Sequence, residues 1–121
     1  MKKGIDLIAE ERQRQINKGY DANHDSQHDF RELTNAARTY IDAAILTAKS
    51  KEIGNSDEAS ISWHEHNEPF EWKHLKLGWP WEEDSFKPTT PLEDLIKAGA
   101  LIAAAIDRLQ KEQLKKKLME N

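Results

Sequence analysis

At 121 residues the chain can bury one modest core but not two, and with 33% charged against 37% hydrophobic residues much of its surface must be solvated charge, leaving some apolar faces to be covered in an oligomer. The net charge of -4, from 18 basic and 22 acidic residues, leaves no basic face for duplex nucleic acid beyond the terminal run Lys115 to Lys117. Cysteine is absent, which excludes a disulfide framework, a zinc ribbon and a thiol nucleophile.

The opening "MKKGIDLIAEERQRQ" becomes charged after one short apolar patch, and no window approaches the length of a membrane span. A soluble, cytoplasmic protein is expected. From Gly4 to Lys18 the pattern predicts a helix, with Ile5, Ile8, Arg12 and Ile16 on one row and Leu7 and Glu11 on the adjoining ridge. "KGYDANHD" ends it.

Asp25 or Asp29 can cap a second helix, "DFRELTNAARTYIDAAILTAKSK". Its apolar stripe is Phe30, Leu33, Ala36, Ala37, Tyr40, Ile41 and Ala44. Periodicity then vanishes from about Glu52 to Thr90, a stretch that gathers all 4 tryptophans, and so long a connection is either disordered or functional. The aromatic area of "WHEHNEPFEWKHLKLGWPWEEDSFKP" favours order, with one short helix at "EPFEWKHLKL" and a more mobile "IGNSDEAS" before it.

The third long helix begins at "TTPLED", with Thr89 or Thr90 as N-cap, Pro91 in the first turn, and Glu93 and Asp94 at the positive end of the helix dipole. "AGALIAAAI" is apolar on nearly every side and predicts a position in the middle of the bundle. Beyond Arg108 the leucines are widely spaced and the helix should fray. The expectation is one all-α domain, a helical bundle of three long helices with a Trp-rich irregular crossover between helices two and three.

Chemistry-bearing residues cluster at the helix edges. Glu11 points to the covered side, where a carboxylate needs a partner: an arginine such as Arg14 or Arg12, or a metal. Glu32 lies on the edge of the second stripe, either as a first-turn acid favoured by the dipole or as a ligand. Asp94 sits over the ridge Ala98, Leu101 and Ala105. If the three helices pack together and Glu11, Glu32 and Asp94 converge, they form the oxygen set that Mg²⁺ requires.

Lys97 can lay its stem on apolar surface and either merely snorkel or, with Arg14, neutralise phosphate charge. Trp79 and Trp81 in "GWPWEEDSFKP" serve either loop packing or stacking on a nucleobase. A zinc set of His24, His28, His64 and His66 is the competing constellation. No Gly-rich phosphate loop and no GxSxG occurs.

Together "ERQRQ", "GY", "HD", "ELTNAARTY", "WPW", "KP" and "DLIKAGALIAAAIDRL" resemble a family of small, mostly uncharacterised phage and prophage proteins over roughly two thirds of the chain. More distantly, the helical pattern is similar to the all-α nucleoside triphosphate pyrophosphatases of the MazG and dimeric dUTPase type. That resemblance implies Mg²⁺ held by acids on successive helices and hydrolysis of a nucleotide to monophosphate and pyrophosphate. Glu11 and Glu32 would stand for the first acid set and Asp94 for the second. The chain departs from the pattern: "EERQR" has an arginine where the third acid belongs, and Ala105 stands where relatives of the small family carry an acid. Two functions follow as expectations, a Mg²⁺-dependent nucleotide pyrophosphohydrolase of phage type, or a non-catalytic phage accessory protein that binds a host protein or a small nucleotide signal.

Overall fold

The structure, a computed structural model, describes residues 1–18, 29–52, 75 and 77–120. The protein is all-α. Helix α1 spans Gly4–Asn17, α2 Phe30–Glu52 and α3 Pro91–Met119, with a 3-10 turn at Glu83–Ser85 before the last helix. The predicted histidine set, the alternative cap Asp25 and the start of the short helix at "EPFEWKHLKL" lie outside the described residues.

Helix α3 is the element on which the other two rest. Its start follows the signals in the sequence: the Glu93 amide donates to Thr90 Oγ1 at 3.1 Å, and Pro91 occupies the first turn where its missing N–H costs nothing. Thr89, the other candidate cap, instead donates its hydroxyl to Glu93 Oε2 at 2.6 Å. Helix α2 begins in the same way, its Glu32 amide donating to Asp29 Oδ1 at 2.8 Å.

Small side chains let α2 and α3 approach closely. Leu33 packs with Ala104 and Ala105, while Ala37, Tyr40 and Ala43 pack with Ala98, so the two helices run antiparallel. The described part of the crossover completes this core. Phe86 is fully buried against Tyr40 and Trp79, at ring centroid distances of 5.0 and 4.9 Å, and Leu75 joins the same cluster. Burying a phenylalanine stabilises by roughly 1.5–3 kcal/mol, so the aromatic loop is an integral layer of the fold. Phe30, expected in the α2 stripe, is 40% exposed at the helix start.

Helix α1 is held differently. None of its residues is fully buried. Leu7, Ile8, Glu11, Arg12, Gln15 and Ile16 are half-buried, whereas Ile5, placed in the apolar row by its spacing, is 70% exposed because it lies in the first turn. Ile8 sits directly on Gly99: a Cβ there would fall 2.6 Å from Ile8 Cδ1, so only glycine admits this approach. Arg12 reaches Asp107 at 3.4 Å further along, which makes α1 parallel to α3.

Two expectations for α3 are corrected. The run "AGALIAAAI" is not covered all round, since Ile102 and Ile106 face outward, away from the alanines that meet α2. The helix also does not fray after Arg108: it continues to Met119, helped by the Arg108–Glu112 pair at 3.0 Å, although every residue from 109 to 120 is exposed. Among the described residues no helix is long and apolar enough to cross a membrane.

Candidate functional site

Between α1 and α2, above α3, lies a cleft of about 590 Å³. That is the size range of small-molecule sites. Helix α1 contributes Glu11, Arg14, Gln15 and Lys18; α2 contributes Leu33 and Tyr40; α3 contributes Lys97, Leu101 and Ala104. The crossover closes the remaining side with Trp79, Trp81, Glu82, Ser85 and Lys87.

The aromatic wall is fixed from behind. Trp79 meets Tyr40 edge-on at 5.4 Å and Trp81 edge-on at 5.2 Å, and its indole N–H donates at 3.0 Å to both the Glu82 carbonyl and Ser85 Oγ. Trp81 packs on the Leu33, Ala104 and Ala105 cluster while its indole N–H donates to Glu32 Oε2 at 3.3 Å. Locked indoles of this kind present flat apolar surface at little further entropic cost.

Charge is distributed around that wall. The Lys97 ammonium donates to the Lys87 carbonyl at 2.9 Å and sits 5.4 Å from the centroid of the Tyr40 ring. The Lys87 amide in turn donates to the Tyr40 hydroxyl at 3.2 Å. Burial pushes the Tyr40 phenol above its ordinary pKa, the Lys87 amide opposes this, and the carboxylates of Asp94 and Glu11 add to it. Tyr40 therefore stays neutral at physiological pH. Among the described residues the lining carries Arg14, Lys18, Lys87 and Lys97 against the carboxylates Glu11 and Glu82, an excess of two positive charges, with Asp94 beneath it.

The three acids singled out in the sequence have separate engagements. Glu11 is bidentate with Arg14, whose Nη2 lies 2.6 and 2.8 Å from its two oxygens, and Gln15 Nε2 approaches at 3.4 Å. Glu32 holds Trp81. Asp94 is fully buried beneath the cleft, where Oδ1 accepts from the Thr89 amide at 2.8 Å and Oδ2 has no hydrogen-bond partner among the described residues. Burial raises the Asp94 pKa above the usual carboxylate range; the Thr89 amide and the Lys97 ammonium pull it back, and Glu93 pushes it up. Among the described residues no group of three or more acidic or histidine side chains stands in metal-holding proximity. As arranged, Glu11 is engaged by Arg14, Glu32 Oε2 by Trp81 and Asp94 Oδ1 by the Thr89 amide, so the trio does not stand as one set.

Of the seven residues expected to form a site, Glu11, Arg14, Trp79, Trp81 and Lys97 line the cleft, Glu32 positions one of its walls, and Asp94 lies outside the lining. Tyr40, Lys18 and Lys87 were not singled out. Lys18 was legible, because it falls four residues after Arg14 on the same helical ridge. Tyr40 read as core, which it also is, and Lys87 carries no spacing signal. No family model matches the chain, and no curated protein or solved structure matches it.

Proposed function

We propose that the cleft binds a nucleotide, its base against Trp79 and Trp81 and its phosphate toward Arg14, Lys18, Lys87 and Lys97. The observation that carries this reading is the meeting of locked aromatic faces with surplus cations in one cleft of about 590 Å³. A base has a π-face that stacks on indole for roughly 1–3 kcal/mol, and phosphate oxygens accept hydrogen bonds from ammonium and guanidinium groups. An excess of two positive charges suits a dianion, such as a nucleoside monophosphate or a cyclic dinucleotide, without a metal.

The function favoured is therefore capture of a small nucleotide by a non-catalytic protein, in keeping with the phage accessory class that the sequence resembles. Arg14 reaches the ligand without losing Glu11, because it is half exposed and has donors to spare. Lys97, anchored on the Lys87 carbonyl, is pre-positioned and loses little freedom on binding.

A second reading, a Mg²⁺-dependent nucleotide pyrophosphohydrolase, draws on Asp94 Oδ2, a buried carboxylate oxygen with no hydrogen-bond partner among the described residues. In that reading Glu11, Glu32 and Asp94 would have to come together around the ion, whereas as arranged they are held by separate partners.

Titration of the tryptophan fluorescence with adenosine, AMP, a cyclic dinucleotide and ATP, each with EDTA and with added Mg²⁺, tests both readings. Capture predicts that AMP or the cyclic dinucleotide quenches without metal, that adenosine binds at least about tenfold more weakly, equivalent to 1.4 kcal/mol, and that no pyrophosphate forms. Equal binding of adenosine and AMP, or none of either, contradicts the phosphate assignment. Pyrophosphate release that requires Mg²⁺ and is lost in Glu11→Gln would establish the hydrolase instead.

A further inference from the structure

We infer that Tyr40 is a binding residue of the cleft: its hydroxyl and the Lys97 ammonium form one seat of hydrogen-bond donors for a terminal phosphoryl group, which selects a nucleoside monophosphate over a cyclic phosphodiester. This rests on the nucleotide reading above and names the phosphate chemistry that the site takes.

The backbone of Lys87 ties the two side chains together. Its carbonyl accepts from the Lys97 ammonium at 2.9 Å and its amide donates to the Tyr40 hydroxyl at 3.2 Å, so ammonium and hydroxyl are held by the two ends of one residue. All three residues line the cleft. Tyr40 is 6% exposed, and its ring is fixed by Phe86 at 5.0 Å and by Trp79 at 5.4 Å between centroids. A hydroxyl can accept and donate at once. Tyr40 accepts from the Lys87 amide, yet its own proton meets no acceptor among the described residues. A donor left unmet at so covered a position is costly, and an anionic oxygen in the cleft would meet it. The phenol remains a donor because burial, with the charges of Asp94 and Glu11, outweighs the Lys87 amide and opposes ionisation.

The number of donors points to the class of phosphate. The Lys97 ammonium has three N–H groups and gives one to the Lys87 carbonyl, so that with the Tyr40 O–H the seat offers three donors. A terminal phosphoryl group presents three unesterified oxygens, whereas a cyclic diester presents two. The neighbouring carboxylates have partners of their own, Glu11 in Arg14 and Asp94 Oδ1 in the Thr89 amide.

Tyr40→Phe removes the hydroxyl and keeps the ring. Dissociation constants for AMP, cyclic AMP and adenosine are read from tryptophan fluorescence in both proteins, once circular dichroism has shown the variant to be helical. In the wild type AMP should bind at least about tenfold more tightly than cyclic AMP. In the variant AMP should weaken about tenfold, the size of one hydrogen bond to a charged group, while adenosine changes less than about twofold. Unchanged AMP binding overturns the assignment, as does a loss that falls equally on AMP and adenosine, which is damage to the fold. If the variant does not fold, the wild type decides, and equal affinity for AMP and cyclic AMP overturns the inference. The two readings fail separately: a wild type that binds AMP no tighter than adenosine removes the nucleotide reading and this one with it, whereas a Tyr40→Phe variant that keeps the full preference for AMP removes the role of Tyr40 alone.

Discussion

Helix α2 and helix α1 both lie on α3, yet by opposite means. Between α2 and α3 the contact is a continuous apolar layer of Leu33, Ala37, Tyr40, Ala43, Ala98 and Ala104, sealed by Phe86. Helix α1 buries no residue fully; among the described residues it meets α3 through Ile8 on Gly99 and an ion pair from Arg12 to Asp107 at 3.4 Å. With Asp107 largely exposed, a pair of that length contributes roughly 0–1 kcal/mol. The cleft thus has one wall built into the core and one wall that is weakly attached. Stability resides in the first, and adjustability to a ligand in the second.

Removing the seal should have the largest effect. Phe86→Ala deletes a fully buried ring from the α2 layer and should cost about 3–5 kcal/mol. Chemical denaturation followed by circular dichroism checks this. A loss below about 1 kcal/mol would mean that the crossover is not part of the core.

Gly99→Leu sharpens the contrast, because it drives a side chain into Ile8 without touching the α2 layer. The expected outcome is release of α1 with the core kept: a loss of helical signal corresponding to the 14 residues of Gly4–Asn17, a fall in stability of about 1–3 kcal/mol, and loss of nucleotide binding. Global unfolding would show that α1 is as integral as α2.

The smallest effect concerns Asp94, buried at the start of α3. Its pKa is raised, chiefly by burial, so the native state keeps this proton to higher pH than the unfolded chain does. The stability it contributes is present below the ordinary carboxyl pKa and is lost as pH rises through the raised value. Relative to Asp94→Asn, which cannot titrate, the wild type should lose stability across that window and run parallel above it. Melts of both proteins from pH 3 to pH 7 as a chosen range measure the difference, and a wild type that gains stability relative to Asp94→Asn as pH rises would reverse the assignment.

How much of this was legible follows from what periodicity encodes. Both caps, Asp29 and Thr90, and the apolar face of α2 were readable because each depends on residues within one turn of the helix. Spacing identifies a face but not what meets it. Ile102 and Ile106 read as central yet face outward, and Ile5 read as covered yet is 70% exposed. The acids illustrate the same limit. Each was correctly placed on a covered edge, but whether Glu11 meets Arg14, Glu32 meets Trp81 or Asp94 meets the Thr89 amide depends on how elements far apart in sequence are docked, and on local turns without periodicity. The cleft cations Lys18 and Lys87 come together only in the fold.

The unequal attachment of the two walls is tested most directly by amide hydrogen exchange, with and without saturating AMP. Without nucleotide, the amides of α1 should exchange orders of magnitude faster than those of α2 around Tyr40 and of α3 around Ala104, and AMP should slow exchange in α1 and in the Trp79–Lys87 segment while leaving the other two helices unchanged. Protection of α1 equal to that of α2 in the free protein, or AMP binding that leaves α1 exchange untouched, would contradict the account.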